Sequence, residues 1–281
     1  MADHPNPTRV PIVDSHAHLD SDDFSGEVGE IVARAEDFGL VGIVTIGIEP
    51  GDWDGCLALA GQHEIVHTAL GIHPNSAGQT TDETLARLEA LCRNGEGKRK
   101  VVGIGETGLD YYREYVPHDV QRRSFSAHLA LARELDLPVI IHNRDAHEDI
   151  LDILKAEGKG TRGVMHSFSG DVEYARRSLD IGYMVSLAGP VTFRKAEDKH
   201  MVARYVPLDS LLIETDCPYL TPEPYRGRRN EPAYVAYTAR AIAALRGVSF
   251  EEVARATTAN AARLFSIVPV EAPSAQGGAT R

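Results

Sequence analysis

His16 and His18 stand one residue apart at the end of an apolar run, in the string DSHAHLD (14–20). On an extended chain two such residues project to the same side. Imidazole is the commonest side-chain ligand for transition metals. Further along, Glu106, His142, His166 and Asp216 each close an apolar run, and His73 follows another. A single histidine after a strand is more often a hydrogen-bonded structural residue than a ligand, and a lone His-x-His says little. Repetition at six separate places changes the odds, because charges buried together need compensation. Divalent cations supply it. Nitrogen and oxygen donors without thiolate favour zinc, manganese, magnesium, nickel or iron over copper(I) or iron–sulfur clusters. Four histidines (His16, His18, His142, His166) and two carboxylates (Glu106, Asp216) suit a site for two divalent metal ions.

Short β-type runs alternate with helical stretches throughout. Eight strands are predicted: Val10–Ser15, Leu40–Ile46, Ile65–Gly71, Lys100–Gly105, Leu137–Ile141, Gly163–Met165, Tyr183–Leu187 and Leu211–Thr215. They are rich in Val, Ile and Leu with little strict alternation, as parallel strands buried on both faces are. Helices are predicted at Glu27–Phe38, stopped by Gly39, at Val120–Leu135, and at Ala233–Leu245, stopped by Gly247. Ser249 with Glu252 three residues on reads as a capping box for a last helix.

Positions 16 and 216 are 200 residues apart, seven units of about 29 each, near the roughly 31 of a (β/α)8 barrel. The expectation is therefore an α/β fold, a single-domain TIM barrel over 10–267, preferred to a doubly wound open sheet. Residues 1–9 are expected to be a flexible segment and the Pro/Ala/Gly-rich stretch 268–281 a disordered tail. In a barrel the C-terminal strand ends converge on one mouth, which would gather the residues above.

Composition narrows the partners. The formal net charge of −12 argues against a protein that coats nucleic acid through bulk charge, but leaves a local cationic site open. Three scattered cysteines (Cys56, Cys92, Cys217) give neither a disulfide framework nor a Cys-rich zinc site. The first residues lack the apolar region of a signal peptide, and no apolar run nears the ~18 residues of a membrane span. A cytoplasmic location without membrane association is expected.

The strings DSHAHLD (14–20), GIHPN (71–75), GETGLDYY (105–112), HNRDA (142–146), HSFSG (166–170) and TDCPYLTPEP…RG…NEP (215–232) resemble the TatD-type metal-dependent deoxyribonucleases of the amidohydrolase superfamily. The resemblance runs from about residue 10 to 266. It implies that His16, His18 and Asp216 hold one metal and His142 and His166 the second, with Glu106 bridging them. It implies that His73 lies near the scissile phosphate rather than ligating. This chain departs from the family's pattern slightly, with Asn143 after His142, Ser167 after His166 and Cys217 after Asp216. Cys217 reads as a small buried neighbour rather than a nucleophile. Asp14 and Glu214 precede ligands by two residues, and either orient them or serve as buried hydrogen-bond partners.

The expected chemistry is hydrolysis of DNA phosphodiester bonds by metal-activated water, with Asp216 accepting a proton. Arg144 and Arg226 match motif positions and, with Tyr111, are candidate substrate contacts; Arg113, Arg194, Lys195, Arg228 and Arg229 are weaker ones. So few cations suit a strand end, preferably single-stranded, and a 3′→5′ exonuclease is the leading expectation. A deacylase acting on an aminoacyl-tRNA ester is the alternative for the same site, and a non-catalytic binding protein the last. No obligate protein partner is expected, and the chain is expected to act as a monomer.

Overall fold

The computed structural model describes residues 10–94 and 101–267. Eight strands follow one another round a single sheet in chain order: β1 (Ile12–Ala17), β2 (Leu40–Gly47), β3 (Val66–Leu70), β4 (Val101–Asp110), β5 (Val139–Arg144), β6 (Gly163–Met165), β7 (Tyr183–Leu187) and β8 (Leu211–Ile213). Every neighbouring pair is parallel. A parallel bridge from Ala17 to Cys217 closes the ring beside β1 and β8. This is the expected (β/α)8 barrel. A doubly wound sheet would instead reverse its strand order at a switch point.

Nine helices surround it: α1 (Val28–Asp37), α2 (Trp53–Gln62), α3 (Asp82–Asn94), α4 (His118–Leu135), α5 (His147–Glu157), α6 (Val172–Asp180), α7 (Glu197–Tyr205), α8 (Val235–Arg246) and α9 (Phe250–Phe265), counted among the described residues. None is long and apolar enough to cross a membrane.

The weak alternation of the strands has a direct cause. In β5, Val139 and Ile141 join the core under the helices while Ile140 joins the barrel interior. In β8, Leu211 and Ile213 face out and Leu212 faces in. Both faces demand apolar side chains. The interior cluster includes Val13, Val44, Val102 and Val164, and it is sealed by Leu264 and Phe265 of α9 with Ile267. Burying each of those two side chains contributes about 1.5–3 kcal/mol. The Ser249 hydroxyl starts α9 by accepting the Glu252 N–H at 3.1 Å. One end of the barrel is thus plugged, leaving the other for chemistry.

Strand ends differ from expectation where tertiary pairing extends or cuts them. β1 begins at Ile12 and runs through Ala17, so His16 lies within it. β4 was expected to stop at Gly105 but continues to Asp110, because Gly108 pairs with His142 and Asp110 with Arg144 of β5. β8 ends at Ile213, two residues short of Thr215. α4 begins at His118, behind Pro117, rather than at Val120. The segments 1–9 and 268–281, and Lys100 at the predicted start of β4, lie outside the described residues.

Candidate metal centre at the barrel mouth

Six side chains from five strands meet at the open end. His16 Nε2 lies 3.3 Å from His18 Nε2, 3.6 Å from Asp216 Oδ1 and 3.4 Å from Glu106 Oε2. His18 Nε2 lies 3.3 Å from Asp216 Oδ1. The other Glu106 oxygen, Oε1, is 2.6 Å from His142 Nδ1 and 3.0 Å from His166 Nε2. Glu106 therefore stands between two groups of donors, one on each carboxylate oxygen.

These spacings fit divalent cations. Ligands about 2.0–2.1 Å from a tetrahedral ion are separated from each other by about 3.3 Å. The three edges of the His16–His18–Asp216 set reproduce that length within a few tenths of an ångström, and Glu106 approaches the set through His16. The donors are imidazole and carboxylate alone, as expected from the sequence. Two imidazole nitrogens facing each other cannot both present lone pairs without a proton or cation between them.

Local backbone brings Glu106 into place. The β4–β5 register shifts between Ile104 and Thr107, so Glu106 falls in an irregular stretch that leaves the regular ladder. Strands β3 and β4 approach closely there. A Cβ on Gly71 would sit 2.6 Å from the Gly105 Cα, so only glycine fits.

The rings are held from behind. Asp110 Oδ2 lies 3.2 Å from His142 Nε2, and its other oxygen accepts the backbone N–H groups of Tyr112 and Arg113. Glu214 Oε1 lies 3.1 Å from His166 Nδ1 and accepts the Ser167 N–H. A carboxylate behind a ligating imidazole fixes its tautomer and direction. Asp14 touches no ring. It accepts from the Thr215 N–H and hydroxyl and the His16 N–H, tying β1 to the segment after β8. Burial pushes Asp14 up to about 8 despite those bonds.

Charge at the site is set by mutual proximity. Burial raises Glu106, but His166, His73, His142 and His16 more than offset it and hold the carboxyl well below its usual value. Burial lowers His18, but the hydrogen bond and charge of Asp216 prevail and push it up to about 9. Burial likewise lowers His166 and His142, yet carboxylates raise both: Glu106 and Glu214 on His166, Asp110 and Glu106 on His142. Protons and divalent cations would compete for the same lone pairs.

His73 is different. It lies past the end of β3, as the cap of a short 3-10 helix, Pro74–Gln79. Its Nδ1 accepts the Asn75 N–H at 3.0 Å, so its proton sits on Nε2, 3.6 Å from Glu106 Oε1. Burial pushes His73 down to about 3, which keeps it neutral. It presents an N–H to the site rather than a lone pair. The loop carrying it is anchored by buried His128 of α4, whose Nε2 accepts the Ile72 N–H at 3.1 Å.

The donors other than His16, which is wholly buried, line a cavity of about 890 Å³. Arg144 lines it, with its guanidinium 3.8 Å from the Tyr112 ring centroid. Arg113 and Lys199 line it as well. Tyr111 and Arg226 do not. Tyr111 stacks on His118 and donates to Asp149 at 2.5 Å, and Arg226 is exposed beside the Phe193 ring. Arg229 pairs with Glu27. Cys217 is wholly buried, and burial pushes its thiol well up, consistent with a small packing residue.

Sequence reading missed Asp110, Lys199 and His128. Asp110 follows the predicted end of β4, Lys199 sits in a charged helical stretch, and His128 shares no motif with the others. The only signal for Asp110 was its place in GETGLDYY.

Comparison with known proteins bears on this geometry. The sequence profile of the family described as TatD related DNase matches residues 13–266. The uncharacterized metal-dependent hydrolase YabD of Bacillus subtilis (strain 168) is 43% identical over 91% of this chain and 99% of its own length. The uncharacterized metal-dependent hydrolase TatD of Mycobacterium tuberculosis is 39% identical over 91% of this chain and 98% of its own. The crystal structure of YjjV, a TatD homolog from Escherichia coli K12, superposes with a TM-score of 0.85 at 32% identity, covering 92% of this chain and 98% of that one.

Proposed function

The chain belongs to the TatD related DNase family of metal-dependent hydrolases, and from that premise we propose that it shortens single-stranded DNA from the 3′ end by hydrolysing phosphodiester bonds. The observation that supports this reading most is Glu106, shared by two donor clusters on the floor of a cavity whose wall carries Arg113, Arg144 and Lys199. A phosphodiester needs charge neutralised on several oxygens at once, and this arrangement can do so.

His16, His18 and Asp216 would hold one divalent cation, and His142 and His166 the other, with Glu106 facing both. Bound there, such ions supply Lewis-acid charge and lower the pKa of water toward ~7. The remaining work falls to the chain. Burial raises Asp216, but His18, His166 and His16 hold it below its usual value, so it is ionised at neutral pH and can take a proton from attacking water. Neutral His73 directs its Nε2–H at a phosphoryl oxygen. Arg144, steadied on Tyr112, offers a fork to a second oxygen. Asp110 and Glu214 keep the His142 and His166 rings aimed.

Three cavity cations are too few to grip a long duplex, which favours a strand end and a shallow salt dependence. We assign the protein to the cytoplasm, in keeping with its free cysteines, and expect it to act as a monomer. The test is incubation of a 5′-labelled single-stranded oligonucleotide with Mg²⁺ or Mn²⁺. Stepwise shortening stopped by EDTA supports the reading, and an intact oligonucleotide with every common divalent ion overturns it.

A further inference from the structure

Charge around the mouth is unevenly distributed. Setting aside the donors Glu106 and Asp216, four carboxylates line the cavity: Asp20, Asp22, Glu49 and Asp52. All four lie on the segments that follow β1 and β2. The three cations sit elsewhere. Arg113 follows β4, Arg144 ends β5 and Lys199 lies on α7, beyond β7. In an eight-stranded ring with strands in chain order, the β1–β2 edge faces the β5–β6 edge across the axis. One half of the rim is therefore anionic and the opposite half cationic, with Glu106 and the imidazoles between.

No lysine or arginine neutralises the anionic half, and the positive charge nearest Asp20 is that of His18. None of the four acids has a Lys or Arg nitrogen within 4 Å among the described residues. Glu49 accepts from the Ser76 hydroxyl at 3.1 Å and the Gln79 amide at 2.9 Å, and Asp52 from the Glu49 N–H at 3.2 Å. These bonds hold Glu49 and Asp52 in place without cancelling their charge. On the other half, Lys199 is partly buried, has no carboxylate oxygen within 4 Å among the described residues although Asp198 is its neighbour, and reaches the Phe168 carbonyl at 3.5 Å. A desolvated ammonium with one long neutral hydrogen bond is well placed to receive an anion.

We propose that this polarity makes the mouth a reader of uncharged strand ends, with the polyanion lying over the Arg113–Arg144–Lys199 half and its last, phosphate-free nucleoside on the Asp22–Glu49–Asp52 half. The proposal rests on the nuclease reading above and deepens it. A strand running past the centre, or ending in a 3′-phosphate, would set negative charge against the carboxylates. Like charges facing each other across a binding site are strongly selected against. The acids thus restrict cleavage to termini, and Lys199 takes the phosphate on the retained side of the scissile bond.

The test compares three single-stranded substrates of one sequence: linear with a 3′-hydroxyl, linear with a 3′-phosphate, and circular. Turnover is measured with Mn²⁺, and binding by fluorescence anisotropy of phosphorothioate-linked versions of the two linear oligonucleotides. The wild type should favour the 3′-hydroxyl over the 3′-phosphate by at least about tenfold in both readouts, and leave the circle intact. Asp22→Asn/Glu49→Gln keeps the side-chain sizes and should bring that ratio toward one. Lys199→Gln should weaken binding of both linear substrates and leave their ratio unchanged. Equal use of the two ends by the wild type, or an unchanged ratio in the double variant, overturns the proposal while the nuclease reading stands. No cleavage of the 3′-hydroxyl substrate overturns the nuclease reading, and this proposal with it.

Discussion

Glu106 Oε1 lies 3.0 Å from His166 Nε2, so a strand-four carboxylate and a strand-six imidazole share one point in space although 60 positions separate them in sequence. The opposite oxygen of the same carboxylate faces His16 at 3.4 Å. One carboxylate thus reaches imidazoles of both donor groups.

Glu106→Gln tests that position with little change in shape. A group that faces both donor sets should matter at least as much as the carboxylates supporting them, whose loss typically costs about 10–100-fold, so kcat/KM should fall by at least about 10². Bound metal, counted by inductively coupled plasma spectrometry, should drop below the wild-type ratio. Near-normal activity and metal content would remove Glu106 from the shared role.

Asp110→Asn loosens the His142 ring without touching the donors of the other cluster. Such supporting carboxylates are typically worth about 10–100-fold in metal affinity or activity. Competition with a chromogenic chelator should show one of two binding events weakened by that factor and the other unchanged.

The site should also couple stability to pH in EDTA. His18 is raised to about 9 when folded, so its contribution is complete below the ordinary histidine value near 6.5 and is lost as pH rises through about 9. Asp14, raised to about 8, loses its favourable protonation over the lower part of the same range. Differential scanning fluorimetry in EDTA should therefore show Tm falling between pH 7 and 9. With saturating Mn²⁺ the curve should lie higher and fall less, because the ion replaces those protons. A Tm in EDTA that rises over this range would contradict the assigned charge states.

Arg144→Ala should weaken DNA binding and reduce the slope of log K against log salt by about one, as loss of one phosphate contact does. Arg226 lies outside the cavity, beside Phe193. Arg226→Ala should therefore weaken long oligonucleotides more than ones that only fill the cavity. Anisotropy titrations at several salt concentrations decide both.

Much of this was readable in the chain. His16, His18, His142, His166 and Asp216 could be found because each lies at the C-terminal end of a strand or just beyond it, where a barrel gathers its chemistry. Glu106 was found for a reason that proved incomplete. It sits inside β4, and an irregular register rather than a strand end brings it to the site. Asp110 and Tyr111 show the limit of local reading. Pairing with β5 prolongs the strand to Asp110, and the Asp149–His118 environment draws Tyr111 away from the cavity. Lys199 depends on how α7 packs beside the mouth, which no short pattern records. The polarity of the rim is likewise invisible in a net charge of −12.

The central claim is tested most directly by one assay panel on the purified protein. Labelled single-stranded DNA, duplex DNA, RNA and D-aminoacyl-tRNA are incubated side by side across a titration of Mg²⁺, Mn²⁺ and Zn²⁺, with Glu106→Gln as control. The account predicts fastest loss of 3′-terminal nucleotides from single-stranded DNA, absent in EDTA and in the variant. Intact DNA at every metal concentration, with deacylation of the aminoacyl ester instead, would contradict it.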